Sequence, residues 1–297
     1  ALPIFKQVGA EHHAASTYHH LGRIAEEQRD FQNAEKWYRR SLEIKEKQGN
    51  EHGAATTYHQ LGRIAQERRD FQDAEKWYRK ALEIMERLAD EHGAAQTYHQ
   101  LGMIAQEQRD LQTAEEWYRK SLEIKEKQGN EHGAAITYHQ LGMIAQEQRD
   151  FQDAEKWYRK SLKIVEKQGN EHGAAQTYHQ LGMIAQEQRD FQDAENCYQK
   201  ALPIFEQVGA EHHAAHTSAQ MGVLSRKREQ YEESGQWFVK AITGFVSSND
   251  AHMARTAAAD FLQTFNEAPE ELQPKLLEMW EEAGLGEFPE HLPEEDE

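Results

Sequence analysis

The 297-residue chain contains one cysteine, Cys197, so neither an intrachain disulfide nor a cysteine zinc site can form. A reducing, cytoplasmic setting is therefore expected. No stretch approaches the ~18 consecutive apolar residues of a membrane span. The first residues, Ala1-Leu2-Pro3-Ile4, show neither a signal peptide nor a basic presequence. Basic residues are scarce, 34 Lys and Arg against 52 Asp and Glu. No cationic stripe is present to follow a phosphate backbone, so neither nucleic acid nor an anionic membrane surface is expected as a partner. Also missing are a nucleophile elbow, a P-loop, a dinucleotide fingerprint, His-Glu-x-x-His and Cys-x-x-Cys. No catalytic residue, cofactor or metal is expected on these grounds. Proline is rare (six residues), and a mean hydropathy of −0.97 with 38% hydrophobic residues argues against a thick apolar interior.

What remains is rich in Ala, Glu, Gln, Lys, Leu and Arg, a helix-forming composition. It is also periodic. Residues 51–90, 91–130, 131–170 and 171–210 align without gaps at a period of forty, joined by 11–50 and a more divergent 211–250. The run Tyr-His-Gln-Leu-Gly-Met-Ile-Ala-Gln-Glu-Gln-Arg-Asp occurs three times, from Tyr98, Tyr138 and Tyr178. Each unit reads as two amphipathic helices. In the third, Ala95, Tyr98, Leu101, Gly102 and Ala105 share one helical face, and Ala114, Trp117, Tyr118, Ser121, Leu122 and Ile124 share another. Asp110 is placed to cap the second helix, Gly129 to end it in a left-handed turn, and Asn130 to cap the next helix. Small residues recurring in register (Gly62, Gly102, Gly142) predict close helix contacts. Neither helix pair buries its apolar face alone, so a stacked solenoid is expected.

The pattern Tyr98-x-x-Leu101-Gly102-x-x-Ala105, then Leu111-x-x-Ala114-x-x-x-Tyr118-x-x-Ser121-Leu122, resembles the tetratricopeptide repeat (TPR). The forty-residue period departs from the usual 34 and is similar to arrays in kinesin light chains, Pins-type scaffolds and bacterial STAND-type signalling ATPases. That resemblance implies an all-α fold, a right-handed superhelix of antiparallel helix pairs whose first helices line a concave groove.

The expected organisation is a repeat remnant at 1–10, six units over 11–250, degenerate capping helices at 251–286, and an acidic tail at 287–297. Residues 1–10 nearly duplicate Ala201–Ala210, so the chain is expected to derive from a longer protein. From Glu267 to Glu297 the chain carries −11 of its total −18. Pro203 falls inside a second helix, where the ring removes one backbone bond and should bend it.

Seventeen histidines invite a metal hypothesis. However, His19, His59, His99, His139 and His179 recur at repeat spacing, too far apart to share an ion held at ~2.0–2.1 Å. The column His12, His52, His92, His132, His172 and His212 marks helix starts. Only His212 and His216 have i, i+4 spacing. Carboxylates such as Glu115, Glu116 and Glu123 have Arg119, Lys120 and Lys127 four residues on, as surface pairs do. The tryptophan column Trp37, Trp77, Trp117 and Trp157 reads as packing, with Cys197 its small apolar substitute.

The family resemblance and the exclusion of the packing face together imply a partner-binding groove. It would be lined by His19, Arg23, His59, Arg63, Gln66, Gln96, His99, Met103, Gln106, His139, Met143, Gln146, His179, Met183 and Gln186. It is expected to be more basic at its N-terminal end and methionine-lined in the middle, suiting an extended peptide or a partner helix. Replacing His99, His139 and Met143 together by alanine is expected to abolish partner binding while leaving helicity and melting nearly unchanged. The function read from this is a non-catalytic scaffold binding a protein or peptide ligand, the sensor or adaptor region of a larger, STAND-type signalling protein. Self-association through the solenoid ends, driven by Leu2, Ile4, Phe5 and Val8, is the alternative.

Overall fold

A computed structural model of the chain describes residues 11–288. The expected remnant at 1–10, with its apolar Leu2, Ile4, Phe5 and Val8, and the acidic end from 289 onward lie outside the described residues. Among those residues there are fourteen α-helices and no strand. In chain order they are α1 (Glu11–Glu27), α2 (Phe31–Lys47), α3 (Glu51–Glu67), α4 (Phe71–Arg87), α5 (Glu91–Glu107), α6 (Leu111–Lys127) and α7 (Glu131–Glu147). There follow α8 (Phe151–Lys167), α9 (Glu171–Glu187), α10 (Phe191–Gln207), α11 (Glu211–Lys227), α12 (Tyr231–Ser247), α13 (Ala251–Glu267) and the shorter α14 (Gln273–Glu282). They form two compact units, α1–α7 and α8–α14, divided after Gln148. Each unit is a stack of helix hairpins, an all-α repeat solenoid.

The helix boundaries have local causes. Asp30, Asp70, Asp110, Asp150 and Asp190 each accept the N–H three residues on, at 3.0–3.2 Å, and so satisfy one orphan donor of a second helix. Asn50, Asp90, Asn130 and Asn170 do the same for first helices at 2.9–3.0 Å. Gly129 closes α6 with φ +66°, as its position in the sequence suggests. The turns after the first helices close with arginine instead: Arg29, Arg69, Arg109, Arg149 and Arg189 sit at φ +57° to +63°. That left-handed backbone is unfavourable for any residue with a Cβ.

Packing within a hairpin depends on the missing side chains. A Cβ on Gly102 would lie 2.7 Å from Cδ1 and Cε1 of Tyr118, which is fully buried. Gly22, Gly62 and Gly182 meet Tyr38, Tyr78 and Tyr198 in the same way, at 2.5–2.7 Å. The buried serines Ser41 and Ser121 donate to the carbonyls of Ala15 and Ala95 at 2.7–2.8 Å, pinning the two helices of a pair together. Tyr18, Tyr58 and Tyr98 stack on Trp37, Trp77 and Trp117 at 5.5–5.6 Å. Lys80 and Lys120 lie over these rings. Lys120 therefore serves as a cation over aromatics and not as the expected partner of Glu116. Lys127 likewise bridges to Glu91 of α5 rather than to Glu123 of its own helix, while Arg119 does pair with Glu115.

In the second unit α10 runs unbroken through Pro203, with Ala201, Leu202 and Phe205 buried on either side of it. At the C-terminal end Phe261, Leu276 and Trp280 close the core, and Trp280 Nε1 donates to the carbonyl of Gly286.

A polar junction and the partner-binding face

First helices of successive repeats lie side by side. In the first unit Arg63 reaches Glu26 at 2.9 Å and Gln106 donates to Glu147 at 2.9 Å. In the second, Gln186 donates to Gln220 and Arg226 to Asp260. Between these neighbours sits a polar junction that the repeat pattern alone did not expose. Thr57, Thr97, Thr137, Thr177 and Thr217 are at most 1% exposed. The hydroxyls of Thr57, Thr97, Thr137 and Thr177 donate to the carbonyls of Gly53, Gly93, Gly133 and Gly173, and that of Thr217 to His213 O. Each hydroxyl has one proton, so an imidazole meeting the same oxygen must donate to it. His59 Nδ1–H does so to Thr97 at 3.2 Å and His179 Nδ1–H to Thr217 at 3.0 Å. Each of these threonines lies 38 residues along the chain from its histidine.

Two lysines complete the junction. Lys45 Nζ donates to Thr57 at 2.8 Å and Lys125 Nζ to Thr137 at 2.7 Å; both lysines are buried, at 8% and 7% exposed. The corresponding histidines, His19 and His99, stand at 3.5 Å from the same hydroxyls. Burial lowers both lysine pKa values to about 8. At the same position other repeats carry Met85, Val165, Phe205 and Phe245.

The histidine column is accordingly more than a lining. His19, His59, His99 and His179 pack on Tyr38, Tyr78, Tyr118 and Tyr198 with ring centroids 5.2–5.7 Å apart. Burial, aided by neighbouring cations such as Lys45 and Lys125, lowers their pKa to about 4. Burial lowers His139 too. The rings are neutral at pH 7, and those of His59 and His179 tie each repeat to the next. Alanine at His99, one of the three positions in the triple alanine variant, would remove its packing on the Tyr118 ring. Gln66, Gln106 and Gln186 are engaged similarly, accepting from the hydroxyls of Tyr78, Tyr118 and Tyr198 at 2.9–3.5 Å. Gln146 is half-buried.

The expected basic end is electrically compensated, because Arg63 pairs with Glu26 and Arg23 with Glu27 at 3.8 Å. Of the other residues expected in the groove, Gln96 is exposed and bonded to His92, and Met103, Met143 and Met183 are half-buried. Ile136 is 44% exposed on the same helix as Met143, an apolar residue that periodicity placed in a varied row without singling it out.

Among the described residues no three His, Cys, Asp or Glu side chains are placed to hold a metal ion. Cys197 is buried, and burial raises its thiol pKa to about 11, which suits packing and not reactivity. No described helix is long and apolar enough to cross a membrane.

The family profile described as tetratricopeptide repeat matches residues 1–47, 53–127, 93–167, 133–207 and 173–245. The chain belongs to the tetratricopeptide repeat family. Among solved structures it is similar to the apo form of RapI, with 14% identity and a TM-score of 0.67 over 84% of this TPR chain and 97% of that one. It is also similar to a STAND protein with a tetratricopeptide repeat sensor from Pyrococcus horikoshii, at 19% identity and a TM-score of 0.66, covering 92% of this chain and 41% of that one. A Rap protein complexed with Competence and Sporulation Factor matches at 13% identity and a TM-score of 0.56, over 90% of this chain and 76% of that one. At these identities the likeness is one of fold. No curated protein matches. As a TPR array the chain is a protein-interaction scaffold, and no catalytic family is indicated.

Proposed function

We propose that this TPR array binds an extended peptide or an amphipathic helix of a partner protein across its first-helix face, centred on Ile136, Met143 and Met103. Ile136 carries the reading. A large aliphatic side chain stands 44% exposed on a first helix, two turns before the half-buried, adaptable Met143 of the same helix, with half-buried Met103 on the first helix of the preceding repeat. The glutamines and glutamates around it offer the polar rim that fixes a partner's orientation. A fold neighbour, the Rap protein complexed with Competence and Sporulation Factor, supports the same use of the fold. The sensor region of the STAND protein supports a role in which capture of a ligand is passed to an effector in a longer polypeptide.

The test is selection of binding peptides from a displayed library with the chain as bait, followed by Ile136→Glu/Met143→Glu. The double variant should lose the selected peptides while keeping its unfolding midpoint. Peptides that still bind it with unchanged affinity would move the site away from this face. Sedimentation at rising concentration addresses self-association, and a monomer is expected.

A further inference from the structure

The sixth repeat departs from its neighbours at the start of α11. Position 213 is histidine where the second to fifth repeats have Gly53, Gly93, Gly133 and Gly173, a feature shared only with His13 of the first repeat. Position 216 is histidine where the others have Ser16, Thr56, Gln96, Ile136 and Gln176. Glycine is needed in the middle repeats because a Cβ there would lie 2.6–2.7 Å from the Asn or Asp that caps the helix. In α11 that cap is Ala210, which makes no side-chain capping bond. The helix forfeits its cap, and the space goes to an imidazole.

The rings that result are close together. His212 and His216 have centroids 4.7 Å apart, His172 and His213 5.5 Å, and His212 and His213 6.2 Å. Phe205 of α10 stacks on His213 at 5.2 Å, and Phe245 of α12 meets His216 edge-on at 4.8 Å. His212 Nε2–H donates to Asp250 at 2.9 Å, and Asp250 caps α13 through the N–H of Met253. The cluster therefore joins α9, α11 and α13. The titratable groups facing it are His172 and His179 from α9, His212, His213, His216 and Glu211 from α11, and Asp250 with His252 at the start of α13. The contribution of α10 and α12 to the ring packing is Phe205 and Phe245.

One proton is well served here, because a charged His212 keeps its bond to Asp250. A second has no such partner. On His213 or His216 it enters a ring packed against phenylalanine, with the His212 ring 6.2 or 4.7 Å away. Burial and the neighbouring histidines accordingly hold His213 and His216 below the usual histidine range.

We propose that this cluster is an acid-released fastening, which holds the first turns of α11 and α13 against α9 at neutral pH and lets them part when it takes up more than one proton. The proposal is independent of where a partner binds. Amide hydrogen exchange of the whole chain at about pH 7.5 and about pH 5.5, corrected for intrinsic exchange, tests it. The equivalent first turns of α3 and α5 serve as internal reference. Exchange at the start of α11 and α13 should accelerate severalfold more than at the reference turns. The variant Ala210→Asn/His213→Gly/His216→Thr, which restores the residues of the second repeat, should abolish that excess. Equal acceleration in all repeats, or an excess that persists in the variant, overturns the proposal. Ring-proton NMR titration of the unmodified chain gives a second readout. His213 and His216 should titrate below the usual histidine range. His213 and His216 titrating at the ordinary histidine value would also overturn it.

Discussion

Replacing Lys125 by methionine should make the protein more stable. The ammonium is buried at 7% exposure with Thr137 as its hydrogen-bond acceptor and no carboxylate in contact. Its pKa falls to about 8, from 10.5 for a free side chain. Carrying the charge at pH 7 therefore costs the fold up to ~3 kcal/mol, and about 2 kcal/mol is a fair expectation once residual hydration is allowed for. The second junction shows that methionine fits, since Met85 occupies the same place with its sulfur 3.3 Å from the Thr97 hydroxyl. Thr137 keeps its own bond to the Gly133 carbonyl, so the substitution leaves no orphaned donor.

The pH dependence identifies the cause. A lysine whose pKa is depressed on folding stabilises the fold above its unfolded pKa, and that contribution is lost as the pH falls through the folded value. The advantage of Lys125→Met should be complete at pH 7, shrink above about 8 and vanish near 10.5. Urea unfolding of both proteins at several pH values, compared as differences, is the assay. Equal stability at pH 7, or an advantage that does not change up to the alkaline end, would refute the reasoning.

Gly102→Ala should destabilise by about 1–3 kcal/mol, because the new methyl group overlaps the buried Tyr118 ring; an unfolding midpoint equal to that of the unmodified chain would count against the close approach. Arg109→Gly should stabilise by about 1 kcal/mol by relieving a left-handed backbone at φ +63°, read as a higher melting temperature. His99→Ala should cost about 1–3 kcal/mol at pH 7 through lost packing on Tyr118. That deficit should narrow between pH 6.5 and about 4, because a neutral buried histidine contributes fully above its unfolded pKa and loses that contribution as it protonates.

The helices were legible because their signals are local. An Asp or Asn before a run at 3.6-residue spacing both caps and dates the start of a helix, and Gly102 opposite Tyr118 announces a contact within one hairpin. Lys125 was not legible. In the last turn of an amphipathic helix a lysine reads as a solvated charge interacting with the dipole, and only the next repeat, arriving over it with Thr137, buries it. The histidines misled for the same reason. Their packing face is set by a threonine 38 residues on, and helical period carries no information at that range. Arginine closing left-handed turns was equally hidden, since residue type favours glycine there. Ile136 was visible as a variation among copies, but its exposure depended on the helices beside it.

Three copies of one thirteen-residue run have a consequence for how the chain reaches this state. While it folds, a helix that docks one repeat out of place meets almost the surface it was made for, so misassembly by forty residues is nearly isoenergetic at most positions. The column of Lys45, Met85, Lys125, Val165, Phe205 and Phe245 breaks that degeneracy. A shifted pairing sets an ammonium where a thioether belongs, or a phenyl ring where a methylene stem should lie, and the error is felt in the core at once.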